Sequence, residues 1–285
     1  MRVEAFVPGH ISCIFRPYRG QGPEDSGSRG VGIRLSLGSR ASVRSVPGDE
    51  VTIRINGRES PATVTRAAVR MMRLEGGLDI DIFHDLPMEQ GFGTSASGTL
   101  AVCLCISELF GGDPFMPAHA AECGFGGGLG DLLAIDCQYP VPIRTVPGPP
   151  RFGGVTEDSG LSMDSITLIV LGGPLNTGSV LSEPDKMERI SRSADECLEK
   201  FSRDLTIDGL YKWSNRFSED TGLESAEIRD AMRAIRERGH HAGMCMLGNS
   251  LYSDITKEEA EELFPESLVV ECSSYSGPLM VIHRE

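Results

Sequence analysis

A glycine-rich stretch runs directly into an apolar segment in the first half of the chain. In "GFGTSASGTLAVCLCISELF", residues 91–110, Gly91 and Gly93 precede four small residues, Thr94, Ser95, Ala96 and Ser97. Glycines permit a tight turn, and the apolar run that follows predicts a helix ending near Phe110. The first N–H groups of a helix have no partner within it and can bind an anion such as phosphate. An ordinary Ser/Thr-capped helix start explains the same letters equally well.

The glycine spacing excludes the two commonest nucleotide-binding loops. The pattern G-x-x-x-x-G-K-[S/T] is absent, and no lysine follows the glycines. The dinucleotide fingerprint is also absent, because the glycine spacing differs and no acidic residue lies at the expected distance. If residues 91–97 bind a phosphate, they belong to another type of loop.

A second glycine-rich segment, "HAAECGFGGGLGD", carries two carboxylates. Glu122 ends a predicted helix, and Asp131 follows after a segment with five glycines. Flexible backbone lets two such residues converge, one holding a divalent cation while the other orients or deprotonates a hydroxyl. Taken alone, the segment favours a simpler interpretation, in which Glu122 is solvated and Asp131 caps the next helix.

The composition suits a globular protein. The chain has 285 residues, 40 % hydrophobic and 24 % charged, which is enough for one large core or two smaller ones. We expect two domains, residues 1–152 and 153–285, because a Pro- and Gly-rich segment at 144–155 separates two different patterns. The longest compact apolar run, "ITLIVL", is too short to span a bilayer, and the N-terminus lacks the apolar core of a signal peptide. A cytoplasmic location is therefore expected.

Charge and cysteine usage narrow the function classes. The 27 basic and 41 acidic residues give a formal charge of −14, which disfavours nucleic acid and anionic membranes as partners. An anionic substrate would then require local cations or backbone N–H groups. The eight cysteines are scattered without a C-x-x-C pair, which favours reduced, buried thiols over a zinc or redox site.

The first half of the chain reads as mixed α and β. Period-two patterns and turn residues predict strands at 2–7 and 11–15 on either side of Pro8-Gly9, and at 31–38, 41–46, 49–56 and 78–87. Helical spacing predicts helices at 62–75, 91–110 and 117–123. Residues 16–30 lack periodicity and predict a loop.

Beyond the junction the pattern changes. It predicts a strand at 165–173, amphipathic helices between 184 and 238, a strand at 243–247, a helix at 256–264, and strands at 268–273 and 279–283. That order predicts a small sheet with helices on one face.

Four segments, in this order, resemble the GHMP kinase superfamily, which includes galactokinases, homoserine kinases and mevalonate kinases. They are "VPGHISCIF", "LPMEQGFGTSASGTLA", "GGLGD" and "AGMCMLGNSLY". Within the superfamily the chain is most similar to archaeal pantoate kinases, through "FVPGHISCIF", "GSRGVGI", "AECGFGGGLGD" and "GMCMLGNSLY". The resemblance implies an α+β fold of two domains, an N-terminal mixed β/α nucleotide-binding domain and a C-terminal ferredoxin-like α/β sandwich.

The resemblance also implies roles for individual residues in a kinase that uses ATP and magnesium. Residues 91–97 would wrap the ATP phosphates, with Ser95 or Thr94 near the magnesium. Glu122 would be the acidic magnesium ligand and Asp131 the base. His10 would line the substrate side, although satisfying a turn explains it equally well. Residues 243–250 would support the wall of the active site, but their apolar letters favour a buried strand.

Pantoate, the acceptor that the resemblance implies, has a carboxylate at one end and a primary hydroxyl at the other. Arg144 is the first candidate to bind the carboxylate, because a planar guanidinium can pair with it through two hydrogen bonds. Arg16 is a second candidate, although an ordinary surface arginine is favoured there. The product would be 4-phosphopantoate, a precursor of coenzyme A in archaea. A homodimer is favoured because dimers are common in the superfamily.

Two other functions remain compatible with these features. One is a kinase of the same fold acting on another small hydroxy compound, such as homoserine, shikimate or mevalonate. The other is a nucleotide-binding regulator without turnover. A changed acceptor would keep Glu122 and Asp131 essential, whereas a pure binder would retain ATP affinity without magnesium-dependent turnover.

Overall fold

The computed structural model describes residues 1–126, 128–173 and 184–284, which form two β-sheets covered by helices. Among these residues the larger sheet has eight strands: β1 (Arg2–Tyr18), β2 (Gly27–Val46), β3 (Val51–Ile55), β4 (Arg58–Glu59), β5 (Gly77–His84), β6 (Pro142–Val146), β7 (Val155–Asp158) and β12 (Met280–Arg284). Its order is β12-β1-β2-β5-β3-β4, and β6 pairs with both β2 and β7. Strands β3 and β5 are parallel, and the other pairs are antiparallel.

The smaller sheet lies in the second half of the chain. It contains β8 (Ile166–Val170), β9 (Ala242–Met244), β10 (Ser250–Ser253) and β11 (Leu268–Cys272), in the antiparallel order β11-β8-β10-β9. The sequence pattern wrongly placed residues 279–283 in this sheet. As β12 they pair with β1 instead, with Met280 opposite Phe6, because pairing partners are chosen by tertiary contacts that a local pattern does not contain.

Eight helices accompany the sheets in the described ranges. They are α1 (Thr63–Met71), α2 (Thr94–Phe110), α3 (Phe115–Ala121), α4 (Asp131–Asp136), α5 (Pro184–Phe201), α6 (Ile207–Thr221), α7 (Ala226–Glu237) and α8 (Lys257–Leu263). A short 3₁₀ turn covers Pro23–Asp25, and a π-helical turn covers Glu122–Gly126. The helix predicted after Gly91 is confirmed, whereas α1 ends earlier than the pattern predicted.

Strand β1 does not stop at Pro8-Gly9, where the sequence predicted a break. The register against β2 shifts between Pro8 and His10 and again between Ser12 and Ile14, so β-bulges absorb the irregular residues and the strand continues. Because β1 reaches Tyr18 and β2 begins at Gly27, the predicted loop at 16–30 shrinks to residues 19–26.

The long strand β1 crosses from one hydrophobic core to another. Its first part contributes Val3, Ala5 and Val7 to a core with β5 and α2, and its second part contributes Ile11 and Ile14 to a core with the smaller sheet and helices α5–α7. A bulge reverses the alternation of side chains along a strand, which suits a change of core partner at this point. His10 lies at the crossover.

The region of the predicted domain junction is more regular than expected. Residues 144–155 include the end of β6 and the start of β7, both in the larger sheet. The core that holds Ile11 draws on residues from both sides of position 152, such as Val141 and Leu168. The boundary between 152 and 153 stays a prediction. Across residues 1–126, 128–173 and 184–284, no helix is long and apolar enough to span a membrane.

Candidate active site

A cavity of about 500 Å³ opens where the glycine loop meets the π-helical turn and the turn between β9 and β10. Its wall includes residues from each of these segments: Gly91, Phe92, Gly93, Thr94, Ser95, Ala96, Glu122, Phe125, Gly128, Gly130, Asp131, Met246 and Leu247. The two glycine-rich segments of the sequence therefore face one space.

The glycine loop leaves the start of α2 open toward this cavity. Gly91 and Gly93 have φ angles of 76° and 65°, in the left-handed region that favours glycine. Gly93 caps α2, and no side chain bonds to the first N–H groups of the helix. A Cβ at Gly91 would lie 2.9 Å from the carbonyl oxygens of Cys245 and Met246. The geometry therefore matches an anion site rather than a Ser/Thr cap.

The side chains of the four small residues after Gly93 do not all lie on the cavity side. Thr94, Ser95 and Ala96 line the cavity. Ser97 does not, because its side chain is fully buried and its Oγ lies 2.6 Å from Ser39 Oγ on β2. The predicted phosphate contact of Ser97 is therefore not available to its hydroxyl, which instead fastens α2 to the larger sheet.

Glu122 is buried beside the start of α2. Its carboxylate accepts a hydrogen bond of 2.6 Å from Ser95 Oγ, and the residue is 2 % exposed. Burial raises the pKa of Glu122 to about 7, and the negative charge of Asp131 adds to this, against the effect of the Ser95 hydrogen bond. The solvated position that the local sequence favoured is wrong, since the side chain faces the cavity.

Asp131 is the first residue of α4, but it does not cap that helix. Gly130 occupies the cap position, and Asp131 Oδ1 accepts a hydrogen bond of 2.7 Å from His10 Nδ1. Burial by itself raises the pKa of Asp131, but the hydrogen bond from His10 and the positive charge of Arg144 outweigh it and leave the pKa below its usual value. Asp131 is therefore an ionised carboxylate near neutral pH.

The two carboxylates meet at Gly128. A Cβ at Gly128 would lie 3.0 Å from both Glu122 Oε2 and Asp131 Oδ2. Glycine at this position lets both side chains approach the cavity. The convergence expected from the two carboxylates around a glycine-rich segment is present in the structure.

His10 lies behind the cavity and does not line it. Its side chain is fully buried, and its backbone N–H donates to the carbonyl of Phe92 at 3.0 Å. The predicted direct contact between His10 and a substrate has no support in this position. The bulge in β1 turns the ring toward Asp131 instead.

Arg144 lies immediately behind the floor of the cavity. The residue is 1 % exposed, its Nη2 and Nη1 lie 3.4 and 3.5 Å from Ser12 Oγ, and its Nε has no partner among the described residues. A Cβ at Gly130 would lie 2.8 Å from Nη1. Ser12 and Gly130 both line the cavity but Arg144 does not, so its guanidinium is separated from the cavity by one layer, and the predicted contact with a substrate carboxylate is not present in this position. Ser28, which sequence reasoning did not select, also lines the cavity.

Arg16 lies elsewhere. Its Nε donates to Asp195 Oδ2 on α5 at 2.8 Å, and its guanidinium lies 4.2 Å from the centre of the Tyr18 ring. The residue does not line the cavity. The structure therefore gives no support to Arg16 as a substrate-binding residue and favours the surface interpretation.

Gln90 was missed by the sequence reasoning. Its Nε2 donates to the carbonyl of Gly172 at 3.0 Å, and its Oε1 accepts from the backbone N–H of Asn249 at 3.1 Å. Ser250 Oγ donates to the carbonyl of Gln90 at 2.6 Å. These bonds join the glycine loop to the smaller sheet, and the only sequence signal was a polar residue directly before Gly91.

The segment at 243–250 combines the two roles weighed from its sequence. Cys245 and Met246 are buried, as packing predicts, while Met246 and Leu247 also line the cavity. Of the strand predicted at 243–247, only Gly243 and Met244 lie in β9, and Ser250 begins β10. Leu247 has a φ of 65°, a left-handed conformation for a non-glycine residue. Glu89, on the facing loop, has a φ of 59° and lines the same cavity. Such strained positions cluster at functional sites.

A divalent cation fits the oxygen atoms at the start of α2. Across the described residues no group of three or more His, Cys, Asp or Glu side chains could hold a metal on its own. Magnesium commonly takes only one or two carboxylates and completes its shell with phosphate oxygens and water. Ser95 and Glu122, in contact at 2.6 Å, provide this kind of partial site.

Comparisons with known proteins point to one family. A family model described as the GHMP kinases N terminal domain matches residues 62–136. A pantoate kinase from Methanospirillum hungatei is 30 % identical over 264 residues, covering 88 % of this chain and 87 % of that protein. A pantoate kinase from Thermococcus kodakarensis is 29 % identical over 275 residues, covering 92 % of this chain and 90 % of that protein.

Solved structures agree with this relation. A structure described as a phosphotransferase related to the CoA biosynthesis pathway has a TM-score of 0.86 at 27 % identity and covers 99 % of this chain and 98 % of its own. A homoserine kinase from Cytophaga hutchinsonii has a TM-score of 0.65 at 15 % identity, covering 99 % of this chain and 97 % of its own. The second similarity concerns the fold alone, a mixed α/β architecture.

Proposed function

The chain belongs to the pantoate kinase family within the GHMP kinases, and from this membership we propose that it transfers the γ-phosphoryl group of ATP to the primary hydroxyl of pantoate. The products are 4-phosphopantoate and ADP. The enzyme is thus a phosphotransferase with an alcohol acceptor, and its product belongs to coenzyme A biosynthesis.

The observation that carries this proposal is the convergence of three elements on one cavity. The uncapped start of α2, the Ser95–Glu122 pair and the ionised Asp131 all face the same space of about 500 Å³. Phosphoryl transfer needs little covalent chemistry from the protein, so positioning and charge neutralisation dominate. These elements supply both.

In the proposed mechanism the loop at 91–96 binds the triphosphate. Its glycines allow close approach, and the free N–H groups at the start of α2 would bind the phosphate oxygens. Ser95 and Glu122 would hold magnesium, which neutralises charge on the transferred phosphoryl group when bound. The raised pKa of Glu122 supports this assignment, because a buried carboxylate without a counter-ion is stabilised in its charged form by a cation.

Asp131 acts as the base for the acceptor. The hydroxyl oxygen of pantoate forms the new bond to the γ-phosphorus, the bond to the bridging oxygen of ADP breaks, and the hydroxyl proton moves to Asp131. A carboxylate with a lowered pKa is fully ionised at neutral pH and available to accept.

Arg144 binds the carboxylate of pantoate in this proposal. Its guanidinium is buried, long in its contacts to Ser12 and separated from the cavity by a single layer. The negative charge of Asp131 acts on this guanidinium, but its hydrogen bonds to Ser12 are long, so it keeps donors for the carboxylate of a substrate.

Four finer expectations accompany this proposal. We infer magnesium dependence, a division into domains at residue 152, and a homodimer in the cytoplasm, all from the resemblance and the sequence pattern. Size measurement in solution tests the dimer, and limited proteolysis tests the boundary.

A panel of acceptors tests the function most directly. ADP release is measured with purified protein, ATP and magnesium against pantoate, homoserine, shikimate and mevalonate. Release with pantoate at much the highest kcat/KM is expected. Clear release with another acceptor but not with pantoate would overturn the substrate assignment, and ATP binding without release in any reaction would indicate a regulator.

Two variants test the assigned roles. Asp131→Asn should lower kcat by about 100- to 10,000-fold, the usual contribution of a general base, while ATP still binds. Glu122→Gln should raise the magnesium concentration needed for half-maximal rate. An unchanged magnesium titration would remove Glu122 from the cation site.

A further inference from the structure

His10 is anchored at the point where β1, the glycine loop and α4 meet. Its backbone N–H donates to Phe92 in the glycine loop at 3.0 Å. A Cβ at Gly93 would lie 3.0 Å from the carbonyl oxygen of His10, so the loop packs directly on its backbone. The side chain is fully buried and reaches Asp131 on the other side. One residue thus contacts both the proposed phosphate loop and the proposed base.

One nitrogen of the imidazole ring is hydrogen-bonded, and the other is sterically blocked. Nδ1 lies 2.7 Å from Asp131 Oδ1. Nε2 has no hydrogen-bond partner in the described ranges, and a Cβ at Gly32 would lie only 2.2 Å from it. The Gly32 backbone therefore leaves no room for a ligand at Nε2. The ring can act only through Asp131.

The charges around the ring define its protonation. Asp131, Arg144 and Arg34 face it, with Glu122 beyond Asp131. Burial lowers the pKa of His10, and the two arginines lower it further, which together outweigh the hydrogen bond and charge of Asp131. The ring is therefore neutral near pH 7. Since Asp131 is an acceptor, the single proton lies on Nδ1 and is donated to Oδ1.

This contact makes the two oxygens of Asp131 unequal. Oδ1 is held by His10, whereas Oδ2 faces Gly128, which lines the cavity beside Glu122. A carboxylate free to rotate would present either oxygen to a substrate. Here Oδ1 is held by the ring of a fully buried histidine.

We propose that His10 is a positioning residue that holds Asp131 Oδ1 and thereby makes Oδ2 the oxygen that takes the proton of the acceptor hydroxyl. The inference rests on the proposed function. The proton of the hydroxyl moves to Oδ2, the hydroxyl oxygen bonds to the γ-phosphorus and ADP leaves with the bridging electrons. The Nδ1 proton stays on His10 throughout, so His10 contributes orientation and not a proton.

Two substitutions of His10 distinguish the contribution of the Nδ1 hydrogen bond from that of the rest of the ring. The amide nitrogen of an asparagine branches from Cγ, as Nδ1 does, so His10→Asn can keep the donor to Oδ1. His10→Ala removes the donor. We expect His10→Ala to lower kcat by about 10- to 100-fold, the range of a hydrogen bond to a charged group, and to change the KM values for ATP and acceptor by less than about twofold. His10→Asn should recover most of the lost kcat.

A second histidine provides a matched control. His241 Nδ1 lies 2.7 Å from Asp254 Oδ2, the same distance as in the His10 pair, but away from the cavity lining. His241→Ala should leave kcat unchanged. Each rate is expressed per folded protein, determined by thermal unfolding of the same samples, so a loss of stability does not count as a loss of positioning.

The possible outcomes separate this inference from the proposed function. Equal kcat for His10→Ala and wild type, or His10→Asn as slow as His10→Ala, would overturn the positioning role. A rise in the KM for the acceptor with unchanged kcat would make His10 a binding residue instead. If the wild type acts on an acceptor other than pantoate, the same variants are compared with that acceptor. If it acts on none, both the function and this inference fail.

Discussion

Two fully buried arginines lie against the larger sheet with different partners. Arg34 on β2 donates from Nη1 to the carbonyl of Tyr275 at 2.9 Å and from Nη2 to that of Gly277 at 3.0 Å. Arg144 on β6 has only contacts of 3.4 and 3.5 Å to Ser12. Both have an Nε without a partner among the described residues. The Arg34 guanidinium forms hydrogen bonds within the fold, whereas the Arg144 guanidinium keeps donors that are available to a ligand.

The difference shows how burial should be interpreted. Burying a cation lowers the free energy of unfolding by on the order of several kcal/mol unless hydrogen bonds and opposite charges compensate. Around Arg34 the backbone after β11 supplies the compensation, so this side chain holds the C-terminal segment. Around Arg144 the charge of Asp131 supplies part of the compensation, but the hydrogen bonds to Ser12 are long, and the cavity lies one residue layer away. Unsatisfied donors next to a cavity are typical of a binding site.

Replacement of Arg144 should have the largest effect, and on binding. Arg144→Met keeps the length of the side chain and removes its charge and donors. We expect the KM for pantoate to rise by about 100- to 1,000-fold, as for the loss of two charged hydrogen bonds, with the KM for ATP nearly unchanged. Steady-state kinetics measures both. The free energy of unfolding should change little, because the removal of a buried charge with long hydrogen bonds offsets the loss of its attraction to Asp131.

The same substitution at Arg34 should act on stability. Arg34→Met leaves the carbonyls of Tyr275 and Gly277 without their donors, and we expect the free energy of unfolding to fall by about 3 kcal/mol. Urea denaturation measures this. At a temperature where the variant is folded, the KM for pantoate should match the wild type. A stable Arg34→Met with a high KM would reverse the comparison between the two arginines.

Glu122 extends the comparison to a carboxylate beside the cavity. Because burial raises its pKa to about 7 in the folded protein, the folded state binds more protons than the unfolded state between about pH 4.5 and 7. The contribution of this group to stability is thus fully present below pH 4.5 and is lost as the pH rises toward 7. We expect the wild type, without ATP and magnesium, to lose about 2 kcal/mol from this group between pH 5 and 8.

Glu122→Gln isolates that contribution. The variant has no titrating group at this position, so the difference in unfolding free energy between variant and wild type should grow from pH 5 to pH 8 in favour of the variant. Urea denaturation at four pH values measures the difference, and the titrating groups that do not interact with Glu122 cancel. A difference independent of pH would show that Glu122 titrates normally.

The part of the site that sequence reasoning predicted is local. The glycine loop followed by α2 could be predicted from adjacent residues, because the dihedral angles that glycine allows and the helical pattern of apolar residues are both local properties. Glu122 and Asp131 could be paired because a short glycine-rich segment joins them. The pKa difference between these two carboxylates could not be read, since it depends on burial and on His10, which lies more than a hundred residues earlier in the chain.

The missed features depend on contacts between distant segments. Strand β12 pairs with β1 because the C-terminal segment returns to the larger sheet. The alternation of apolar residues within β12 does not indicate which strand it pairs with. Gln90 joins the glycine loop to the smaller sheet through Gly172 and Asn249. The bulges that carry β1 past Pro8 depend on its pairing with β2. Each feature is set by tertiary contacts, which override the conformational preference of the local sequence.

The smallest effect concerns the aromatic ring beside Arg34. The Arg34 guanidinium lies 5.2 Å from the centre of the Tyr275 ring, while its hydrogen bond goes to the backbone carbonyl of the same residue. Tyr275→Leu removes the ring and keeps the carbonyl, so we expect the free energy of unfolding to fall by only about 1 kcal/mol. Urea denaturation, compared with Arg34→Met, measures it. A loss as large as that of Arg34→Met would mean that the ring, not the two carbonyls, compensates the buried charge, and the contrast with Arg144 would then rest on stacking.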